Sequence, residues 1–260
     1  KLAQAPGISV ISCDVSDAKP LRGAFTKIET LHPRLDIIVN AAAIHPYGDA
    51  VETSPETFAK CLAVNAGSIH LTAHFGVPLM RKAGNGGVIV NLSSIQGHAC
   101  QAGVMAYVAS KGAIHAMTRA MALDFAKDKI RVVSVSPGSV RTPILELAAR
   151  TFDGPDADIE DVFRRFGASH PIGRIGEPEE IANGAVFLAF VLVAILAGFA
   201  YKWAAGTWLL ALLASFLPFG TVIFLIWADR SAKLDAAVPS DGVARTSSTP
   251  ADADVTDLSA

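Results

Sequence analysis

The sequence predicts an α/β fold, a parallel sheet wound on both faces by helices, followed by an apolar helical hairpin. Three observations carry this. Short β-branched runs alternate with amphipathic stretches of helical length over residues 1–188. Those short runs are apolar without clean alternation, as strands buried on both faces are. Residues 184–228 then carry a single charged residue, Lys202.

In chain order, residues 8–12 read as a short buried strand, and residues 17–32 have apolar spacing near 3.6. A second strand follows at residues 35–39. Ser54 is placed to cap a helix, with Pro55 at its first position, where the missing N–H has no intrahelical partner to lose. Residues 87–92 and 130–135 supply two further strands, separated by a long Ala-rich helix over 105–128. Strand alternating with helix is the pattern of a parallel sheet covered on both sides.

In the apolar region, residues 184–201 and 203–228 carry no charge. Each run approaches or exceeds the roughly 20 apolar residues that cross a bilayer. A turn around Lys202 gives a hairpin with helices near 184–200 and 208–227, and Trp203, Trp208 and Trp227 stand near the ends of the runs. The alternative is a pair of buried core helices. Arg164, Arg165 and Arg174 precede the hairpin, and Arg230 and Lys233 follow it, so both flanks are expected in the cytoplasm, anchored by residues 184–228. Residues 229–260 have few large apolar side chains and are expected to be disordered. The domain reading is thus 1–188, 184–228 and 229–260.

The chain has 260 residues, with 22 Lys and Arg against 24 Asp and Glu, a formal charge of −2. No basic excess argues for nucleic acid. Charged residues are 18% of the chain, below the roughly 25% of ordinary domains. Mean hydropathy is +0.40. Cys13, Cys61 and Cys100 are scattered and form no CxxC pair, which fits a reducing compartment better than a disulfide framework or a zinc site. His70 and His74 share a helical face, but no third ligand is evident, so no metal is expected. The acidic cluster over 153–161 reads as the solvated edge of a lid.

The residues that carry chemistry centre on Tyr107-Val-Ala-Ser-Lys111. Tyr and Lys four apart share a helical face. A nearby ammonium favours the phenolate and brings a phenol toward acid/base use at neutral pH. Ser94 follows the strand at 87–92, and the carboxyl ends of parallel strands are where α/β sheets bind ligands. Asn65, in Val64-Asn-Ala-Gly67, is the third polar residue of the set.

This ordered constellation resembles the short-chain dehydrogenase/reductase family over about 185 residues. Cys13-Asp-Val15 looks like the segment that meets the adenine ring, which gives that contact to Asp14 and Val15. Asn40-Ala-Ala-Ala43 looks like the family's NNAG motif, with Ala41 in place of Asn and Ala43 in place of Gly. Pro137-Gly138-Ser-Val140-Arg-Thr142 resembles the loop that holds the nicotinamide carboxamide. Residues 173–182 resemble the stretch opening the penultimate helix. The resemblance implies a Rossmann-type sheet, NAD or NADP as cofactor, and hydride transfer with a small alcohol or carbonyl substrate. It gives Tyr107 the acid/base role. Lys111 lowers its pKa and holds the ribose, Ser94 orients the substrate oxygen, and Asn65 supports a water linking Lys111 to solvent. Homo-oligomers are common in the family.

The departures from the family pattern carry expectations of their own. No TGxxxGxG motif occurs, and the family's first two strands, which lie between its third and fourth, are not in the sequence. The segment near Ile8 is then expected to lack a neighbour, and the next strand to keep a bare edge. The chain opens on Lys1 with no signal peptide before it, which points to processing or to a frame that begins mid-gene. Beyond Ala189 the family's last strand is replaced by the apolar hairpin, which resembles the closing helices of a small bacterial integral-membrane family of unknown function. The reading is therefore an oxidoreductase crippled by the absent pyrophosphate loop. The alternatives are a non-catalytic membrane-anchored fusion, a chimeric or truncated frame, or a genuine membrane-anchored reductase of lipophilic substrates.

Overall fold

The computed structural model describes residues 7–200, and side chains through residue 189. The chain divides at Leu196 into two units, and the first holds the sheet and the helices packed on it.

Helix α1 (Ala18–Leu31) is started by Asp17, whose carboxylate accepts from the Lys19 N–H at 2.9 Å. It buries Leu21, Ala24 and Phe25. Strand β1 (Ile37–Asn40) follows. Helix α2 (Pro55–Leu62) is capped by Ser54, which accepts from the Thr57 N–H at 3.1 Å, with Pro55 at the first position as expected. A π-helical turn, Ala63–Gly67, leads into α3 (Ser68–Ala83). Strand β2 (Gly87–Leu92), helix α4 (Met105–Asp124) and strand β3 (Ile130–Val135) complete the core alternation. Helices α5 (Pro143–Asp153), α6 (Ile159–Ala168) and α7 (Pro178–Ala200) follow.

The three strands are parallel in the order β1-β2-β3, with Ile37 beside Val88 and Val90 beside Val133. One face packs on α3 and α4 through Ile38, Ile69, Val77, Ile89, Ile114 and Val132. The other packs Val88 and Val90 against Ala185 and Ala189 of α7. The sheet is thus parallel and covered on both faces, as expected, because β2 has no polar face to give to water.

Residues 8–12 are not a strand. Ile8 is 47% and Val10 59% exposed. β-propensity makes a strand only where a partner accepts its backbone hydrogen bonds, and none is present among the described residues. The helix expected over 105–128 ends at Asp124, and a short 3₁₀ turn, Ala126–Asp128, with Lys129 at φ 58°, redirects the chain into β3.

Helix α7 begins in the enzyme-like part and continues unbroken to Ala200, through the expected junction. Among the described residues no helix is long and apolar enough to cross a membrane. The expected helix at 208–227 and the tail at 229–260 lie outside the described residues.

Candidate functional site

The carboxyl ends of β1 and β2 are tied by a ladder of side-chain amides. Asn40 Nδ2 donates to Asn91 Oδ1 at 2.8 Å, Asn91 Nδ2 donates to Thr118 Oγ1 at 3.0 Å, and Thr72 Oγ1 donates to Asn40 Oδ1 at 2.8 Å. Asn40 is therefore engaged by β2 and α3, and its side chain serves the scaffold beneath the site.

Above this ladder, β2 runs into Ser93 and Ser94 and then the turn Ile95–Gly97. Ser94 starts that turn, its hydroxyl accepting from the Gln96 N–H at 3.1 Å. Ser93 Oγ donates to the Lys111 carbonyl at 2.9 Å and lies 3.0 Å from His115 Nε2, fastening the turn to α4. Gly97 permits this contact. A Cβ there would lie 2.6 Å from the His115 ring and 2.9 Å from the Lys111 carbonyl carbon.

Helix α4 presents Tyr107 and Lys111 one turn apart. Lys111 is 3% exposed, and its Nζ donates to the Leu92 carbonyl at 2.8 Å. That nitrogen is 5.3 Å from the centre of the Tyr107 ring. Burial pushes the Lys111 ammonium down to about 8. Burial also pushes the Tyr107 phenol up from its ordinary value, and hydrogen bonding to Ser94 opposes this only in part. The expected lowering of Tyr107 by Lys111 is therefore not the dominant effect. Both groups are drawn toward their neutral forms because desolvation penalises each charge.

Asn65 sits in the π-helical turn, 1% exposed. An inserted residue in a helix re-aims the side chains around it. Here the carboxamide faces the chain after β1. Its Oδ1 accepts from the Ile44 N–H at 2.8 Å, and its Nδ2 donates to the Ile44 carbonyl and to Ser110 Oγ, both at 2.9 Å. Ser110 Oγ in turn donates to the Tyr107 carbonyl at 2.7 Å. Both Asn65 donors are thus in use, and the residue links the loop after β1 to α4.

That loop and the Ser94 turn together bring in three residues that the sequence did not single out. The His45 ring lies 4.0 Å from the Tyr107 ring, centre to centre, and 4.8 Å from the Tyr47 ring. Tyr47 meets Phe152 of α5 edge-on at 5.4 Å. Gln96, two residues past Ser94, is the third. Their signal in the sequence was position alone: His45 and Tyr47 follow Asn40-Ala-Ala-Ala43, and Gln96 follows Ser94.

The remaining expected residues spread outward. Pro137, Gly138, Val140 and Thr142 form the loop after β3. Ile95 N–H donates to the Pro137 carbonyl at 3.0 Å, joining this loop to the Ser94 turn. The Ser139 N–H donates to His170 Nε2 at 3.3 Å, and Thr142 Oγ1 donates to the Val140 carbonyl at 3.1 Å. Asp14 is exposed before α1. Its carboxylate is held below the usual range by hydrogen bonds from the Ser16 hydroxyl and N–H, at 2.7 and 2.9 Å. Val15 is half-buried beside it, and Ala41 is exposed. No hydrogen bond among the described residues joins Asp14 to the Tyr107 group. Cys61 is buried 3.5 Å from Asn65 Nδ2, whereas Cys100 is exposed. His70 and His74 stack with ring centres 5.9 Å apart, away from this group on α3.

A phenol, an ammonium and a hydroxyl at the end of a parallel sheet are equipped to hold an oxygen and move a proton to or from it. The comparisons with known proteins agree. A family profile described as Enoyl-(Acyl carrier protein) reductase matches residues 1–201. A second, described as a domain of unknown function, matches residues 177–230 and overlaps it along α7. The chain is 36% identical over 187 residues to L-fucose dehydrogenase of Bos taurus, covering 72% of this chain and 67% of that one. It is 36% identical over 208 residues to galactitol 2-dehydrogenase (L-tagatose-forming) of Cereibacter sphaeroides, covering 76% and 78%. Among solved structures, the aldohexose dehydrogenase of Thermoplasma acidophilum superposes with a TM-score of 0.67 at 31% identity, covering 72% of this chain and 74% of that one. The chain spans about two thirds of the length of its mammalian L-fucose dehydrogenase relatives.

Proposed function

Because the chain belongs to the short-chain dehydrogenase/reductase family, whose members are NAD(P)-dependent oxidoreductases, we propose that residues 1–188 serve hydride exchange between a nicotinamide cofactor and an alcohol or carbonyl substrate. The observation that carries this reading is the convergence of Tyr107, Lys111 and Ser94 on one spot at the carboxyl end of β2.

The nicotinamide, of NAD or NADP, supplies or takes up the hydride when bound. The residues present fit the nicotinamide end of such a cofactor best. The Lys111 ammonium has three donors, of which one is used within the described residues, so two remain for ribose hydroxyls. The loop bearing Pro137, Gly138, Val140 and Thr142 is tied to the Ser94 turn, which supports its proposed contact with the carboxamide. Asp14 and Val15, with the backbone of Asn40 and Ala41, are the proposed adenosine side. The pyrophosphate bridge has no such fit within residues 1–260, where no TGxxxGxG occurs. Each lost charge-assisted hydrogen bond removes about 1.5–3 kcal/mol. The polypeptide 1–260 is therefore proposed to hold the cofactor only at about millimolar concentration, with slow turnover.

In the forward sense, Ser94 Oγ holds the substrate oxygen and Tyr107 Oη removes or returns its proton. Lys111, charged below its lowered pKa, steadies the phenolate that results, and Asn65 keeps α4 and the loop after β1 in register. The names of the relatives, which specify L-fucose, galactitol and aldohexoses, favour a hydroxylated substrate for this chain too. A cytoplasmic setting and a homo-oligomer belong to the same proposal.

The test is the rate of NAD⁺ or NADP⁺ reduction at millimolar cofactor with a polyol substrate. Tyr107→Phe is expected to lower kcat by about 100-fold or more while leaving the circular dichroism spectrum unchanged. Undiminished turnover in that variant overturns the reading.

A second reading adds a membrane anchor at residues 184–228. Two runs without charge, together with a second family match across 177–230, support it. On this reading the chain stays with the membrane pellet after carbonate extraction. Release into the supernatant sinks it.

A further inference from the structure

We infer that His45, Tyr47 and Gln96 form a hydroxyl-reading subsite beside Tyr107, built for a polyhydroxylated substrate, a sugar or polyol, rather than for a plain secondary alcohol. The inference rests on the oxidoreductase reading for the position of the reacting carbon, and it names the residues that read the carbons next to it.

The observation that carries it is an accounting of polar atoms. Buried polar groups are hydrogen-bonded almost without exception, because leaving one unmet costs the desolvation of that group. Among the described residues, three buried side-chain polar atoms make no hydrogen bond of standard geometry, His45 Nδ1, Tyr47 Oη and Gln96 Oε1; the Gln96 side chain lies close enough to the His45 ring to act on it, and Tyr47 Oη has no such neighbour. They are not scattered. His45 stacks on the Tyr107 ring at 4.0 Å, and Tyr47 lies 4.8 Å from His45. Gln96 belongs to the turn that begins at Ser94. The three atoms thus belong to residues that neighbour Tyr107 and Ser94, the two hydroxyl bearers assigned to the reacting oxygen.

The subsite is held in place. The loop that carries His45 and Tyr47 is clamped at its start by Asn65, which bonds both the N–H and the carbonyl of Ile44. It is clamped at its end by Gly48, whose N–H donates to the Gly103 carbonyl at 2.7 Å and whose carbonyl accepts from the Met105 N–H at 3.4 Å. Gln96 is fixed by its own amide, since Nε2 donates to Gln101 Oε1 at 2.6 Å and so leaves Oε1 as the spare acceptor. Ordering these groups before the ligand arrives removes part of the entropy cost of binding.

The donor set selects the chemistry. Gln96 Oε1 only accepts, the Tyr47 phenol both donates and accepts, and the imidazole offers one ring nitrogen. Burial holds His45 below its ordinary value, so near neutral pH that nitrogen belongs to an uncharged ring. No fixed charge is offered by the three, which argues against a carboxylate or phosphate ligand. Hydroxyl groups, which donate and accept at one atom, satisfy all three. Phe152 closes the far side of Tyr47 with an apolar face suited to the C–H face of a sugar. A site built to hydrogen-bond a hydroxyl rejects the analogue that lacks it, because its own polar groups are then left unmet.

The experiment reads binding without turnover. Saturation-transfer NMR on the full chain compares galactitol with cyclohexanol as probes. The wild type is expected to bind galactitol at least roughly tenfold more tightly. Tyr47→Phe, which removes one oxygen and keeps the ring, is expected to lose about three- to tenfold for galactitol and nothing for cyclohexanol. Tyr47→Phe with Gln96→Leu is expected to abolish the preference. Equal binding of the two probes by the wild type overturns the inference. So does an intact galactitol preference in Tyr47→Phe and in a double variant with native near-ultraviolet dichroism, which would mean that water alone meets these atoms. If the galactitol preference follows these variants while Tyr107→Phe leaves turnover intact, the catalytic reading fails and the subsite stands.

Discussion

Lys111 is a buried charge held with little compensation. The residue is 3% exposed, and among the described residues its ammonium has no carboxylate partner and is met by one backbone carbonyl. Its folded pKa, about 8, lies below the 10.5 of the free side chain. Between those values the unfolded chain binds a proton that the native chain does not, so stability rises with pH across that window. Below pH 8 both states are charged and the burial penalty is felt in full. Urea unfolding of the wild type and of Lys111→Met from pH 7 to 10.5 measures this. The wild type is expected to gain on the variant steadily above pH 8, by about 1–3 kcal/mol in all. A constant difference across the range would mean that Lys111 is not desolvated. At this scale much of the site was legible, because a Tyr and a Lys four apart on a helix meet by geometry alone. The competition between burial and charge was not legible, since exposure is a property of the packed molecule.

The turn Ile95–Gly97 and helix α4 work as one piece, and Gly97 sets their separation. A methyl group there meets the His115 ring and the α4 backbone at Lys111, well inside van der Waals contact. The ring has Ser93 to hold it and the backbone has little freedom to yield, so the turn moves instead. Gly97→Ala is expected to draw Ser94 away from Tyr107, lowering kcat by about tenfold or more and stability by about 1–3 kcal/mol. A variant with wild-type kcat would show that the Ser94 turn tolerates displacement. Elements of this kind divide cleanly in how readable they were. The bounds of β2 and β3 followed from the sequence because both strands are buried runs with abrupt ends. The loop from His45 to Gly48 gave no such signal. It has no periodicity, and what orders it is a carboxamide from Asn65, far away in sequence.

At the scale of the whole molecule, the misreading of residues 8–12 and the state of β1 have one cause. A β-run becomes a strand only through a neighbour, and the described sheet has three strands with β1 at its edge. Residues 8–12 find no ladder among the described residues and lie open. The outer backbone groups of β1 meet no strand among the described residues, and its Val39 is 51% exposed. An apolar, unpaired edge is a template for pairing with another chain. The polypeptide 1–260 is therefore expected to self-associate as its concentration rises, and a charge on that edge is expected to oppose it. Val39→Lys, at a site already half in water, should change stability by no more than about 0.5 kcal/mol. Sedimentation velocity over a concentration series should show the variant at a smaller mean mass than the wild type. Equal masses at every concentration would place the association elsewhere.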